Sequence, residues 1–432
     1  MVIRHYLPLN QAPQPERILK IQGSGYYANA SSTASTWWGI SLILTSHGRV
    51  LATGNFKNGN VGIAGTANNY HLAFEEIGVP EFIVDMSTTG QTTLLVGESG
   101  KVYASGYNWT RCMGLSTLTN NAVFTTWTDI TPYAGFKAER IETVLFRIST
   151  GTANTGATLC VGNNGQELWG CGYGLSLGVG VNTASLVWTK SPLTPASGER
   201  IIAAAPTNSS AKLIMLGSNG IPYLMCAGQG TYGDLGWGAV STSKLLYERP
   251  TNSPTVYPQF DPYQMAQLTS INTTANRSAS IVGPDGKILS SGSNSYGEIL
   301  INTTATVGVF TETALASTTY APQVARTFRG VHVLLANRLQ TRFYGINYSQ
   351  QAGFGPAGTT YATGVVTSPA MGEIESLWST PGFETRLYWA VGVDHTVKAC
   401  GGPAVLMGIG DSGSAIGTNN YPWTSVPLEL AA

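Results

Sequence analysis

One pattern of apolar and polar positions recurs along the chain, and Thr92–Leu115 shows it most clearly. Apolar Leu94–Val96 leads into a Glu98–Gly100 turn, and Val102–Ala104 brings the chain back. Two β-rich segments joined by a short glycine-containing turn predict a β-hairpin, because glycine accepts the positive φ that such turns need. A polar and aromatic loop, Tyr107–Arg111, follows, and a Met-Gly-Leu sequence closes the unit.

Six further stretches repeat this order of segments. They begin near Ile40, Ala157, Ala211, Ser278, Val331 and Tyr388. The glycine that ends each unit, the closing glycine, falls at Gly62, Gly114, Gly178, Gly236, Gly353 and Gly408, with Leu300 in its place in the fifth copy. The resulting spacing of about 52 to 64 residues is typical of propellers and solenoids.

Each unit reads as strand, polar loop, apolar strand, tight turn, strand, aromatic loop and connector strand. The apolar positions alternate with a period of two, which excludes a helical solenoid, and the antiparallel hairpin turns exclude an open β-solenoid. A four-stranded antiparallel meander is the blade of a β-propeller. One blade cannot bury both of its faces, so the blades must stack around an axis. We therefore predict an all-β, seven-bladed β-propeller.

We assign residues 1–432 to a single propeller domain, with repeat units over about 38–410. Tyr6–Leu9 and Trp423–Leu430 both resemble the connector strands between repeats. We therefore predict that terminal strands within 1–22 and 421–430 complete one shared blade and close the ring. Closure would remove the exposed sheet edges that otherwise template aggregation.

Two loops resemble the repeat of a known family. Gly106-Tyr107-Asn108, ending in Met113-Gly114, and GQGTYGDLG at 228–236 are similar to the repeat of the regulator of chromosome condensation family. The resemblance covers about residues 38–410 and implies a seven-bladed propeller. The glutamine of the family loop is mostly absent here, and the histidine before the apolar strand occurs only as His332. The resemblance therefore carries over no residues for guanine-nucleotide exchange.

Charge is sparse and balanced along the chain. Lys plus Arg number 23, Asp plus Glu number 23, and charged residues make up 11% of the sequence, against about 25% in ordinary soluble domains. This balance gives no electrostatic footprint for nucleic acid or for an anionic membrane. No apolar run approaches the roughly 20 residues needed to cross a bilayer, and Met1–Asn10 shows no signal-peptide pattern. We expect no nucleic-acid partner and no membrane insertion.

The candidate reactive residues are scattered. The cysteines are odd in number and form no Cys-x-x-Cys pair, which argues against a disulfide framework or a structural zinc site and favours small buried residues; they are Cys112, Cys160, Cys171, Cys226 and Cys400. The five histidines fall in separate units, and no nucleophile or phosphate-loop motif occurs. We predict no enzyme activity, no cofactor and no metal. Asp234 and Glu298, in different blades, leave a carboxylate pair for glycoside hydrolysis as an open alternative.

One face of the predicted ring gathers aromatic and polar loops. In a meander, the first and third loops of every blade emerge on the same face, which we call the loop face. Flat rings beside amides and hydroxyls suit a neutral carbohydrate or a protein partner. The candidate binding residues there are Phe56, Asn108, Trp109, Tyr173, Tyr232, Tyr296 and Tyr348. The alternative is that these rings close each blade against its neighbour.

Low charge, abundant uncharged polar residues and the scattered reactive groups are similar to the composition of bacteriophage fibre and adhesin proteins. We therefore predict a non-enzymatic protein of the virion, made in the host cytoplasm. It would be a tail-fibre or capsid-attached propeller that binds other virion proteins or a host glycan or protein receptor. Two alternatives stay open: an intracellular, exchange-factor-like propeller that binds proteins, and a propeller enzyme acting on glycans.

Overall fold

The protein is built almost entirely from β-strands arranged as consecutive hairpins. The computed structural model describes residues 15–27, 37–65, 69–108, 111–115, 122–147, 154–172, 174, 177–180, 183–207, 210–230, 233–238, 243–252, 278–282, 287–297, 299, 304–313, 320–327, 330–347, 350–356, 358–380, 386–402, 406–407, 409 and 421–430. These residues form seven sheets, one for each predicted repeat.

The first four sheets each contain four strands that are consecutive in sequence. Their bounds are β1 Ile18–Tyr27, β2 Trp37–Thr45, β3 Val50–Asn55, β4 Tyr70–Glu76; β5 Ile83–Thr88, β6 Thr92–Gly97, β7 Val102–Tyr107, β8 Val123–Asp129; β9 Ala138–Arg147, β10 Asn154–Gly162, β11 Glu167–Gly172, β12 Ser185–Lys190; β13 Arg200–Pro206, β14 Ser210–Leu216, β15 Pro222–Gln229 and β16 Ser243–Glu248. A short 3₁₀ turn, Lys57–Gly59, lies between β3 and β4.

The last three sheets follow the same plan. Their bounds are β17 Ser278–Val282, β18 Ile288–Gly292, β19 Val307–Glu312; β20 Tyr320–Thr327, β21 Gly330–Leu335, β22 Thr341–Asn347, β23 Thr359–Thr367; β24 Ile374–Ser379, β25 Arg386–Gly392, β26 Val397–Gly402 and β27 Tyr421–Val426. The fifth sheet has three described strands, and the strand predicted near Gln267–Ile271 lies outside the described residues. All neighbouring strands pair antiparallel, as in Leu94↔Ala104 of β6 and β7. The predicted seven-bladed propeller with four-stranded antiparallel blades is confirmed.

The hydrophobic core lies between the blades. Leu42 of the first blade packs in one cluster with Met86 and Leu95 of the second. Ile21 and Leu51 of the first blade pack with Trp389 of the seventh, so the ring closes by contact between its first and last blades. Burial of apolar surface at about 25 cal/mol per Å² is the main term that holds such blades together.

The described terminal strands belong to different sheets. β1 is the first strand of the first sheet, and β27 is the fourth strand of the seventh, so the described terminal strands do not share a blade. Leu428 and Leu430 instead pack against the core cluster that contains Ile18 and Ile21. Side-chain packing between two complete sheets thus brings the described ends together. Tyr6–Leu9 lies outside the described residues.

Packing against the next blade along the chain explains why glycine closes these repeats. At five of them, an added Cβ would lie closer than 3.0 Å to an aromatic ring on the fourth strand of the following blade; the pairs are Gly62 with Trp127, Gly114 with Trp188, Gly178 with Tyr247, Gly236 with Phe310 and Gly353 with Trp423. Each of these glycines also has positive φ. The repeated glycine therefore seats an aromatic ring of the adjoining blade.

The same loops cover the outer edges of neighbouring sheets. Val179, beside Gly178, forms an antiparallel bridge with Leu246 on β16, and Ile409 forms one with Ala73 on β4. A covered edge strand cannot template pairing with another chain. The loops after the third strands thus join the blades in two ways, through side-chain packing and through backbone bridges.

Candidate functional site

Phe56, one of the predicted binding residues of the loop face, lies in the core. Phe56 is only 1% exposed. Its ring stacks on the ring of His71 with centroids 3.9 Å apart, and it packs among the apolar residues between the first two blades. The structure therefore corrects the expectation that Phe56 presents its ring to a ligand, and it fits the packing alternative.

Asn108 is also buried, because its side chain organises its own loop. Its Oδ1 accepts a hydrogen bond from the backbone N–H of Met113 at 3.3 Å. The same five-residue bond recurs from Ile299 N–H to Asn294 at 2.9 Å and from Ala352 N–H to Asn347 at 2.9 Å. An asparagine at this position thus shapes the loop in three blades, and Asn108 is not the surface residue that we expected.

The remaining predicted residues divide into two groups. Tyr296 is partly buried, so part of its surface is open on the loop face, and its binding role stays a prediction. Trp109, Tyr173, Tyr232 and Tyr348 lie outside the described residues.

Of the two carboxylates considered for glycoside hydrolysis, only Asp234 belongs to the described residues, and its contacts are those of a structural residue. Asp234 is buried, accepts a hydrogen bond from Ser210 Oγ at 3.1 Å and lies 3.6 Å from Lys212 Nζ. It is a structural acid inside the fourth blade, while Glu298 lies outside the described residues. Among the described residues, no group of three or more His, Cys, Asp or Glu side chains could hold a metal ion.

The cysteines and His332 are interior residues. All five cysteines are buried, as predicted, and none of them forms a disulfide. Burial raises the pKa of the Cys226 thiol to about 12. His332 contacts Thr341 Oγ1 through Nδ1 at 2.8 Å and the carbonyl of Gln351 through Nε2 at 2.7 Å. Burial lowers the pKa of His332 to about 4. The imidazole is therefore neutral and fixes the loop of the sixth blade.

The opposite side of the ring, which we call the turn face, carries the tight turns between the second and third strands and the connectors between blades. Large apolar side chains are exposed here at Phe82, Tyr133, Ile221, Leu339 and Val393. Three of them, Ile221, Leu339 and Val393, belong to hairpin turns, where polar residues are usual. The turn face therefore exposes large apolar side chains on several blades.

Tyr133, on the connector between the second and third blades, is held rigidly although it is 39% exposed. Its hydroxyl donates to Glu167 Oε2 at 3.1 Å and accepts from Asn163 Nδ2 at 2.9 Å. Its ring packs 5.4 Å from the ring of Trp169 and 5.6 Å from that of Phe136, measured between centroids. A fixed aromatic ring loses little conformational entropy on binding, which is typical of an interface anchor.

Phe82 lies on the connector between the first and second blades and is 45% exposed. Its ring covers Gly48, where an added Cβ would lie within 3.0 Å. Beside it, Glu81 accepts hydrogen bonds from Ser99 Oγ at 2.6 Å and from Tyr103 Oη at 2.8 Å. Burial opposes ionisation of Glu81, yet these hydrogen bonds lower its pKa. Burial and Glu81 together raise the pKa of Tyr103 to about 12.

Ion pairs recur at the same place on the turn face in four blades. Each joins the start of a third strand to the end of a fourth strand. The pairs are Arg49–Glu76 at 3.1 Å, Lys101–Asp129 at 3.2 Å, Glu167–Lys190 at 2.9 Å and Lys287–Glu312 at 3.1 Å. The turn face thus carries a recurring pattern of ion pairs, which composition alone does not reveal.

The turn face was not predicted from the sequence, because the candidate binding residues all belong to the aromatic loops. The sequence Thr131-Pro132-Tyr133 could have indicated this face, because it places an aromatic residue directly after a proline in a connector, outside the apolar strands. In the described part of the chain, no helix is long and apolar enough to span a bilayer.

Comparison with solved structures shows which propellers this chain resembles. Prp20p from Saccharomyces cerevisiae matches with a TM-score of 0.64 and 14% sequence identity, over 96% of this chain and 87% of that one. Human WBSCR16 matches with a TM-score of 0.65 and 15% identity, over 88% of this chain and 94% of that one. No family model matches the sequence, and no curated protein matches it.

These likenesses show the fold: the chain is similar to RCC1-type seven-bladed propellers, the type that the repeat resemblance implied. The structure of Prp20p is described together with its binding to Gsp1p and histones. The virion context and the glycan receptor predicted from composition find no support in these likenesses. Those two statements stay predictions from composition, and the fold alone is established as an RCC1-like propeller.

Proposed function

We propose that this chain is a non-enzymatic propeller that binds a protein partner through its turn face. The observation that carries the proposal is the fixed, exposed ring of Tyr133, surrounded by hydrogen-bonding and charged groups. Interfaces are enriched in tyrosine and place such rings within a polar rim. The binding of Gsp1p and histones by the structural neighbour Prp20p also favours a protein partner over a glycan.

The turn face supports this function better than the loop face does. Phe56 and Asn108 of the loop face are buried in contacts within and between the blades, so replacing them changes the fold. Phe82 and Tyr133 have large exposed fractions and lie on connectors, so they are open to a partner. The proposal holds for a partner inside a cell and for one in a virion, because it depends only on this surface.

Partner capture with matched variants tests the proposal. The purified full chain would be cross-linked in native extract, and the dissociation constant of the captured partner would be measured by calorimetry. We expect Tyr133→Ala and Phe82→Ala each to weaken binding about tenfold or more, as anchor residues do. The control is Ile63→Ala, because Ile63 is 51% exposed on the loop face and its replacement should leave binding unchanged.

The reverse result would contradict the proposal. If Ile63→Ala or Tyr296→Ala weakens binding while Tyr133→Ala does not, the partner uses the loop face. If a folded Tyr133→Ala, Phe82→Ala double variant binds as the wild type does, the turn face is not the site. Circular dichroism of each variant would verify that the propeller is intact.

A further inference from the structure

Three blades meet at a buried ionic cluster near the axis of the ring. Lys20 lies on β1, Asp85 on β5 and Glu142 on β9, the first strands of the first three blades. Lys20 Nζ lies 3.0 Å from Asp85 Oδ1 and also donates to Glu142 Oε1. One ammonium thus links carboxylates of two other blades, and all three residues are buried.

Asp85 and Glu142 accept hydrogen bonds from different kinds of donor. Asp85 accepts from Lys20 and from the backbone N–H groups of Met86 at 2.9 Å and Ile141 at 2.8 Å, a set of N–H donors that suits an ionised carboxylate. Glu142 Oε2 is approached by two neutral side chains, Gln22 Nε2 at 3.2 Å and Ser87 Oγ at 3.2 Å. One positive and two negative charges leave an excess negative charge in a buried place, which is costly.

A proton on Glu142 would neutralise that excess charge, and a neighbouring side chain, Gln22, can accept the hydrogen bond that this proton donates. Gln22 is buried, and its Oε1 has no hydrogen-bond partner among the described residues. A half-turn of the Gln22 amide exchanges Nε2 for Oε1 at nearly the same position. The amide therefore donates to a Glu142 carboxylate in one orientation and accepts from a Glu142 carboxylic acid in the other.

We propose that Lys20, Asp85 and Glu142 form a pH-sensitive latch across the first three blades, which protonation of Glu142 tightens and deprotonation loosens. Burial raises the pKa of Glu142 to about 7, although Lys20 opposes the shift. Asp85 and Glu142 raise the pKa of Lys20 against the effect of burial, so the ammonium stays charged. Cys160, on β10, is a further titratable group near Asp85 and Glu139, and burial raises the pKa of its thiol far above this range.

The sign of the effect follows from the raised pKa. The contribution of Glu142 to stability is fully present below its ordinary pKa of 4.5 and is lost as the pH rises through about 7. His332, whose pKa is lowered to about 4 by burial, has the opposite effect between its ordinary 6.5 and 4. The test must therefore compare variants at each pH, so that the contribution of His332 cancels.

The decisive variant is Glu142→Gln, which keeps the shape of the acid and cannot lose a proton. We expect its stability relative to the wild type to rise as the pH increases from 5 to about 7 and to level off by pH 8, measured as the difference in thermal midpoint on the full chain. Glu81→Gln, which removes a carboxylate on the turn face, should show a pH-independent difference over the same range. A flat difference for Glu142→Gln would overturn the proposal.

Two further readouts keep the test decisive if Glu142→Gln does not fold. Infrared difference spectra of the wild type between pH 5.5 and 8.5 should show one buried carboxylic acid that ionises near pH 7. Ser87→Ala, which removes a donor to the carboxylate form, should move that ionisation to higher pH.

Exchange of the Ile141 and Thr143 amide hydrogens, corrected for intrinsic pH dependence, should accelerate above pH 7, because these groups bond to Asp85 and Ser87 across the blades. Absence of an ionising carboxyl signal would overturn the latch.

Discussion

The loop face and the turn face are built from the opposite ends of the same strands, yet their side chains have different roles. On the loop face, Phe56 and Asn108 point into contacts that hold a loop or two blades together. On the turn face, Phe82 and Tyr133 expose their rings, and ion pairs lie around them. The difference teaches that an aromatic loop in this repeat protein is first a joint between repeats, and that open aromatic side chains lie where such joints are absent.

Phe56→Ala should give the largest effect that separates the two faces. Removing a buried aromatic ring typically costs about 3 to 5 kcal/mol, and Phe56 also loses its stacking contact with His71. Chemical unfolding of the full chain measures this loss. Tyr133→Ala is the matched control on the turn face and should cost far less. Equal losses for the two variants would show that the turn face is as structural as the loop face.

Gly114→Ala should come next, because it affects both backbone and packing. Gly114 has a φ of +67°, and an added Cβ would lie within 3.0 Å of Trp188 in the next blade. Left-handed backbone strain costs about 1 to 2 kcal/mol, and overpacking typically adds about 1 to 3 kcal/mol.

Gly220→Ala on the turn face supplies the comparison for this prediction. Gly220 has a similar φ of +77°, and nothing lies within 4 Å of the added Cβ, so only the backbone strain remains. The free energies of unfolding of the two variants should therefore differ by the packing cost alone. If Gly220→Ala lowers the free energy of unfolding as much as Gly114→Ala does, contact with an aromatic ring is not the reason why glycine closes the repeats.

Acidification should destabilise the loop face before it affects the turn face. The pKa of His332 is about 4 in the folded protein against an ordinary 6.5, so its contribution to stability is present above pH 6.5 and is lost as the pH falls toward 4. The loss amounts to at most about 3 kcal/mol. His332→Gln should remove this part of the pH dependence of unfolding, while His47→Gln, on an exposed turn, should keep it. An unchanged pH profile for His332→Gln would contradict the neutral, buried imidazole.

The fold was predictable from the sequence because it repeats. Seven copies of an apolar strand, a tight turn and a returning strand, six of them ending in a closing glycine, specify seven blades. The packing at closure was not predictable, because Leu428 and Leu430 pack against a core cluster shared by the first and seventh blades, and such packing leaves no alternating pattern. Terminal segments that look like connector strands carry no information about which sheet they join.

The proposed interaction site was harder to predict, because the type of a residue does not determine whether its side chain is exposed. Phe56 and Tyr133 are both aromatic residues beside polar neighbours, yet one is buried and the other is open. What distinguishes them is the neighbouring blade, which covers Phe56 through the packing between the first two blades. Ion pairs between the start of one strand and the end of the next, such as Lys101–Asp129, depend on the register of the strands and are equally invisible in composition.

Lys101→Ala should produce the smallest change, and for that reason it sharpens the comparison most. Lys101 Nζ lies 3.2 Å from Asp129 Oδ2, and both side chains are largely exposed, so solvent screens their attraction. Exposed ion pairs contribute about 0 to 1 kcal/mol, and chemical unfolding at low and high salt should show a loss within that range that shrinks as salt is added. A face whose charges can be replaced at so little cost to stability can change its partner without changing the ring. A loss for Lys101→Ala as large as that for Gly114→Ala would mean that the turn face also holds the blades together, and the separation of structural and binding faces would fail.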